Sequence, residues 1–298
     1  LKTTALLDLP AGFRVDDVLT FHRRDRAGVS EVVDAEGLRK GLLWRGQPAC
    51  LSLVFQGRQV QAWLAVDGEP EAGDAARFVA LVRRMLGLTQ DVEAFEAAFA
   101  SHPEVGRLIA RNGGLRLPVA ATPFEAVSWA ITGQQISVAV AVALRRRLIE
   151  AAGVRHSAGL SCYPDACRVA ALGPEVLRQA GFSRSKTAAM IEVAQRVATG
   201  ELALGDDNGA TDMEGLGRRL LAVPGIGPWT VGYTLLRGFG WLDGSLHGDV
   251  VVRRGLQALQ GRTERMGERE AERWLAQFRP WRALVAAHLW AWTSDRAY

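Results

Sequence analysis

The sequence predicts an α+β protein in two parts: an N-terminal antiparallel β-sheet domain with packed helices, residues 1–90, and an all-α domain, residues 91–298. Three observations carry this expectation. Short apolar or alternating segments broken by glycine run from Gly12 to about Val66. Helical spacing replaces them from Leu88 onward, and 298 residues, at about 150 per domain, leave room for two cores.

In chain order, Val29–Asp34, Gly41–Trp44, Cys50–Phe55 and Gln59–Val66 read as strands, because apolar and polar residues alternate between glycine-containing turns. The acidic, turn-rich Asp67–Asp74 follows, and Ala75–Leu86 turns helical through Phe78, Leu81, Val82 and Met85. Around ten helices fit the remainder, with breaks at Gly113-Gly114, Leu117-Pro118, Gly153, Gly173-Pro174, Gly181, Gly205–Gly209, Pro224–Pro228 and Gly238–Gly248. The uncharged stretch Ala126–Leu144 has the length of a membrane span, but Ser128, Thr132, Gln134, Gln135 and Ser137 make it a buried helix instead.

With 48% hydrophobic and 23% charged residues, the composition excludes disordered and fibrous classes. Residues 1–100 carry 12 basic and 14 acidic side chains, which leaves 24 and 18 for the rest, so the whole positive excess lies in the helical part. That balance permits a polyanionic partner there. Cys50, Cys162 and Cys167 are too few for a paired disulfide framework and too isolated for zinc or an iron–sulfur cluster. Leu1–Gly12 lacks the length and cleavage site of a signal peptide, so a reducing, cytoplasmic setting is expected. Nothing points to a membrane or to an obligate protein partner.

The most informative segment is Leu221-Ala-Val-Pro-Gly-Ile-Gly-Pro-Trp-Thr230, which has the outline of a helix-hairpin-helix over about residues 215–237. Gly225 and Gly227 let the chain turn and expose amide N–H groups at the start of the second helix, where the positive end of the dipole favours a phosphate. Thr230 completes a set suited to DNA backbone. The hairpin alone signifies grip, not catalysis. Twenty-two residues after Gly227, Ser245-Leu-His-Gly-Asp-Val-Val-Val-Arg-Arg254 opens an apolar segment with one acid, Asp249. On spacing alone, Asp249 is equally a helix N-cap and a catalytic carboxylate, and the two roles are compatible.

Taken together, the hairpin and Asp249 resemble the helix-hairpin-helix DNA glycosylase superfamily, in which an essential aspartate follows such a hairpin at this distance. Pro123-Phe-Glu-Ala-Val-Ser-Trp-Ala-Ile-Thr-Gly-Gln-Gln-Ile-Ser137 looks like its helix ending in a minor-groove loop, and Arg279-Pro-Trp-Arg-Ala-Leu-Val-Ala-Ala-His-Leu-Trp290 like the last helix of the bacterial 3-methyladenine DNA glycosylase II, or AlkA-type, branch. The resemblance implies hydrolysis of the N-glycosidic bond of alkylated purines flipped out of double-stranded DNA, with no catalytic cofactor. It places Trp229 where backbone-cutting relatives carry a nucleophilic lysine, and no lysine follows Lys186, so water is the expected nucleophile.

Trp229, Tyr233 and Arg237 share a helix face, and that pattern by itself is also an ordinary core stripe. The resemblance makes Trp229, Tyr233 and Trp290 an aromatic pocket for a cationic base, with Phe21 as a fourth wall or a core residue. It sets Gln135 at the position that intercalates, where an apolar residue is usual, with neighbouring Ile136 the alternative wedge. Similarity to other such hairpins implies a monovalent cation, Na⁺ or K⁺, on the carbonyls of Leu221, Val223 and Ile226. Arg145–Arg147, Arg253 and Arg254 are candidate phosphate contacts, Val250 marks a roomier pocket, and His288 is placed beside it. Two other readings stay open: a glycosylase for oxidised or deaminated bases, and a non-catalytic DNA-damage binder that keeps only the hairpin.

Overall fold

The computed structural model describes residues 2–35, 37–69, 71–205 and 211–293. Five strands, β1 (Lys2–Asp8), β2 (Glu31–Val33), β3 (Gly37–Trp44), β4 (Gln47–Gln56) and β5 (Gln59–Val66), form one antiparallel sheet in the order β1-β5-β4-β3-β2. The alternation along β5 points Val60, Ala62, Leu64 and Val66 inward. There they meet Phe78, Val82 and Met85 of helix α2 (Asp74–Met85) in the first of three main cores.

Two segments of this domain differ from expectation. Residues 2–8 form edge strand β1, paired through Lys2↔Ala65 to Asp8↔Gln59. The strand-like reading from Gly12 onward fails at Val15–His22, which is helix α1: Asp16 and Asp17 sit in its first turn, favoured by the dipole, and Val18, Leu19, Phe21 and His22 are buried.

The helical part contains α3 (Val92–Phe99), α4 (Val105–Arg111), α5 (Pro123–Gly133), α6 (Val138–Ala152), α7 (Ala166–Gln179), α8 (Arg184–Ala198), α9 (Met213–Leu221), α10 (Pro228–Phe239), α11 (Val250–Leu259), α12 (Glu268–Ala276) and α13 (Arg282–Trp292). The uncharged stretch expected as one buried helix is two, α5 and α6. The chain turns sharply at Gln135, whose φ is +55°, and Ser137 caps α6 by accepting from the Val140 amide. Most of the expected Gly205–Gly209 break lies outside the described residues. Helices α3, α4 and α11–α13 pack one core, α5–α9 another, and α10 supplies Tyr233 and Leu236 to the first and Leu235 to the second. Among the described residues no helix is long and apolar enough to cross a membrane.

The two parts are joined by more than a linker. At Gly41 a β-carbon would lie 2.2 Å from the Ser161 carbonyl, so only glycine lets residues 161–163 close on β3, where Tyr163 N donates to Gly41 O at 3.2 Å. Beside this seam lies a buried ion cluster. Lys40 donates to Glu31 at 2.5 Å and to Glu125 at 2.7 Å, and Arg145 reaches Glu125 at 2.9 Å and Glu31 at 3.3 Å. Arg145 is therefore no phosphate contact: its guanidinium is buried in this cluster, also 5.0 Å from the Tyr163 ring. Burial alone would raise the Glu31 carboxyl, but Arg145 and Lys40 overcome it and hold it well below the usual range. Glu125 is lowered by the same two cations against the same burial.

Burial also lowers two histidines, His22 and His288, the latter to about 4. His288 stacks on Phe95 in the core, 5.5 Å between centroids, rather than beside a pocket. A folded-state pKa below the unfolded 6.5 means that the unfolded chain takes the proton first. Stability present above pH 6.5 should thus fall on acidification, by about 3 kcal/mol at pH 4 from His288 alone. Urea unfolding at pH 7, 6, 5 and 4 measures this, and His288→Leu should flatten the decline; an unfolding free energy that stays level across this range would contradict it.

Candidate active site

Asp249 is the N-cap of α11, its Oδ1 accepting from the amides of Val251 at 2.8 Å and Val252 at 3.0 Å. Two indoles complete the surround. Trp229 Nε1 donates to Oδ2 at 2.7 Å and Trp290 Nε1 to Oδ1 at 3.3 Å. Four N–H groups from α10, α11 and α13 thus converge on one carboxylate, only 5% exposed. The cap alone explains two of them; the indoles are additional.

The expected aromatic residues stand together beside it. The Trp229 and Tyr233 ring centroids are 5.2 Å apart and those of Tyr233 and Trp290 6.4 Å apart, because Trp229 and Tyr233 are successive turns of α10 and Trp290 lies on α13. Phe21, from the sheet domain, belongs to the same group: the Arg237 guanidinium lies 4.7 Å from its ring and 5.8 Å from that of Trp290. A cleft of about 30 Å³, lined by Trp129, Gly133, Ile136, Val138, Ala141, Trp229 and Tyr233, opens between the rings and the α5–α6 turn. A carboxylate held by N–H donors next to aromatic faces suits steadying positive charge next to a flat, stacked group.

At that turn Gln135 is exposed and is the tip, whereas Ile136 is half-buried and faces the cleft. Val250 is 51% exposed at the first position of α11. The hairpin is as expected in outline, α9 to α10, and neither Gly225 N nor Gly227 N donates to a main-chain acceptor among the described residues. Thr230 departs from expectation. Its side chain is 2% exposed and its hydroxyl accepts from Gln134 Nε2 at 2.9 Å, so it faces inward and cannot meet DNA backbone through that hydroxyl.

Residue-by-residue reading missed three contributors. Trp129 lines the cleft and donates from Nε1 to the Tyr233 hydroxyl at 3.0 Å. Arg24 stacks on Phe21 at 3.9 Å and on Trp129 at 4.6 Å. Gln134 ties the turn to the hairpin, donating also to Gly225 O at 3.0 Å. Only Trp129 left a signal, four residues after Glu125 on the same helix face. Lys186 is nearer the hairpin than its sequence position suggests, on α8, whose Ala189 packs under Gly225. Its amine is buried and donates to Thr132 O at 2.7 Å.

The two hairpin glycines differ. Gly225 has φ +86° and an added β-carbon would come within 3.1 Å of Ala189, whereas Gly227 has φ −100° and open space within 4 Å. Gly225→Ser should therefore cost about 1–2 kcal/mol of stability and Gly227→Ser next to none, serine being a good N-cap. Thermal unfolding of the pair checks this; equal losses would mean the glycine at 227 is also a folding requirement.

Residues 128–280 match the family described as "HhH-GPD superfamily base excision DNA repair protein", and residues 6–122 match "AlkA N-terminal domain". Among similar sequences, "DNA-3-methyladenine glycosylase 2" of Escherichia coli is 34% identical over 198 residues, 65% of this chain and 67% of that protein. "DNA-3-methyladenine glycosylase" of Bacillus subtilis is 24% identical over 241 residues, 80% of this chain and 79% of that protein. In shape, the chain matches the 3-methyladenine DNA-glycosylase from Archaeoglobus fulgidus with a TM-score of 0.78 at 20% identity, covering 97% of this chain and 98% of that one, so the fold is shared.

Proposed function

Because this chain belongs to the HhH-GPD superfamily of base excision DNA repair proteins, with an AlkA N-terminal domain ahead of the helical part, we propose that Asp249 is the catalytic carboxylate of a monofunctional alkylpurine DNA glycosylase. The observation that carries this reading is the convergence of two indole N–H groups and two helix amides on Asp249, beside the rings of Trp229, Tyr233 and Trp290.

In this reading a flipped nucleotide presents its base to the rings and its sugar to Asp249. The N-glycosidic bond breaks with its electron pair leaving on the base; an alkylpurine that entered as a cation departs neutral and needs no proton from the protein. Asp249 steadies positive charge on the sugar, and water adds to the anomeric carbon, its proton passing to the carboxylate. An amine nucleophile would have to come from position 229, which is tryptophan, or from Lys186, whose amine is engaged with Thr132 O. Strand cleavage is therefore not part of the proposed reaction.

The partner is double-stranded DNA with a damaged base. The amides of Gly225 and Gly227, which donate to no main-chain acceptor among the described residues, supply a phosphate contact at the positive end of α10, with open space above Gly227 for the phosphate to approach. Gln135 at the exposed tip of the α5–α6 turn is the wedge, and Ile136 belongs to the pocket side. For the monovalent cation, the Leu221 carbonyl ends α9 and accepts no main-chain hydrogen bond among the described residues, and the Val223 carbonyl accepts one from Ile226 N at 3.1 Å. With the Ile226 carbonyl they lie at the negative end of the α9 dipole, a fitting donor set for Na⁺ or K⁺.

Asp249→Asn keeps an acceptor for the cap and should remain folded and bind DNA, while base release from methylated DNA falls by about 10²-fold or more. Chromatography of released bases in single-turnover reactions reads this, and near-normal release would move the catalytic role elsewhere.

Since Trp229 both stacks and donates to Asp249, Trp229→Phe isolates the hydrogen bond and Trp229→Leu removes the ring as well. The step from Phe to Leu should cost excision of cationic 7-methylguanine a further ~1–3 kcal/mol and neutral hypoxanthine less, because only the cation gains from the ring's negative face. Equal losses would reduce the ring to shape and burial.

A further inference from the structure

Among the described residues the sheet domain gives no group to the Asp249 carboxylate, yet the end of its first helix packs against the aromatic group at Trp129. Arg24, just past the end of α1, places its guanidinium 3.9 Å from the Phe21 ring centroid and 4.6 Å from that of Trp129. It is tethered there by Nε donating to Phe21 O at 2.6 Å. A side chain of this chain thus fills the slot between a wall from the sheet domain and a wall from α5. The cleft that shares the Trp129 wall holds about 30 Å³, against a few hundred Å³ for pockets that take small molecules. A base stacked between Phe21 and Trp129 therefore has to displace Arg24.

What holds them is traceable atom by atom. His22, adjacent to Phe21 and edge-on to its ring at 5.0 Å, donates from Nδ1 to Glu31 Oε1 at 3.0 Å. The same oxygen takes Lys40 Nζ at 2.5 Å, and Lys40 continues to Glu125 at 2.7 Å on α5. Glu125 stands one turn before Trp129, on the same face. An unbroken run of buried polar contacts therefore links the residue beside Phe21 to the helix that carries Trp129. Burial lowers the pKa of His22, and its Nε2 has no partner among the described residues, both in keeping with a neutral imidazole whose only bond is the one to Glu31.

Resting on the base-excision reading above, we propose that His22 is a positioning residue: anchored to the Glu31–Lys40–Glu125–Arg145 cluster, it sets how far Phe21 and Arg24 stand from Trp129, and so the size of base the slot admits. The sheet domain is then a selectivity element, acting through α1. Its slight acidity is no obstacle, since DNA backbone contact is left to the helical part.

The test uses the full chain and two duplexes, one with 7-methylguanine and one with the three-ring 1,N6-ethenoadenine, in single-turnover excision. His22→Leu removes the bond without stranding a charge, because Glu31 keeps Lys40 and Arg145. The ethenoadenine-to-methylguanine rate ratio should rise about fivefold or more in His22→Leu. It should return towards the parent value in His22→Asn, whose amide can donate to Glu31 from the same side. A purely structural role would lower both rates together and leave the ratio unmoved, and that result overturns the proposal. If His22→Leu loses cooperative thermal unfolding, the charge-balanced Glu31→Leu with Lys40→Met, which removes the acceptor for His22 and leaves Glu125 and Arg145 paired, makes the same comparison. A parent chain that releases neither base overturns the base-excision reading and this inference with it, whereas an active parent with an unmoved ratio overturns the positioning role alone.

Discussion

One carboxylate holds three helices in register. Asp249 caps α11, and indoles that α10 and α13 bring from either side donate to it as well, leaving Oδ2 with one hydrogen bond and a free lone pair among the described residues. The aromatic walls cannot be placed independently of that carboxylate, because two of them are bonded to it. The angle at which Trp229 and Trp290 present their faces is set by where their N–H groups must point, and Tyr233 is fixed in turn by the Trp129 N–H on its hydroxyl. Of the two roles weighed from spacing, the helix cap is the one the structure displays, and the capping geometry would hold the carboxylate still for the proposed one.

Much of this was legible in the sequence, for local reasons. A glycine pair flanked by apolar runs, an acid at a fixed distance and aromatic residues four apart are signals confined to a short window, and they located the hairpin, Asp249 and the Trp229–Tyr233 face. The illegible part is long-range. Arg145 reads as one of a run of three candidate phosphate contacts because nothing near it in sequence announces Glu125, which the packing of α5 on α6 brings to it, or Glu31, which arrives with the sheet. Arg24 and Phe21 acquire their partner Trp129 in the same way. Thr230 matched a DNA-facing position by spacing, but its hydroxyl is turned inward by Gln134, which arrives from a different pair of helices. In the sheet domain, α1 was hidden because its eight residues are too few for periodicity to outweigh the strands around it.

The aromatic group around Asp249 draws on both parts of the chain. The carboxylate and the rings of Trp129, Trp229, Tyr233 and Trp290 come from the helical part, Phe21 and Arg24 from the end of α1, and the docking seam at Gly41 and the ion cluster join the two parts. Burying four charges at such a seam is a costly way to gain stability, since well-packed apolar residues often serve as well. What charge pairs add over apolar contacts is direction: each has one geometry, and a slip of the sheet against α5 breaks several at once.

Gln134 carries a consequence of another kind. Its side-chain amide spans from the α5–α6 turn to Gly225 O and the Thr230 hydroxyl, so the turn and the hairpin are one rigid jaw. Under the proposed function, a clamp for the sugar–phosphate rail and a probe for the stack would in this way be set at a constant offset, like the two points of a calliper. Sliding such a clamp by one phosphate would then carry the probe by one base step.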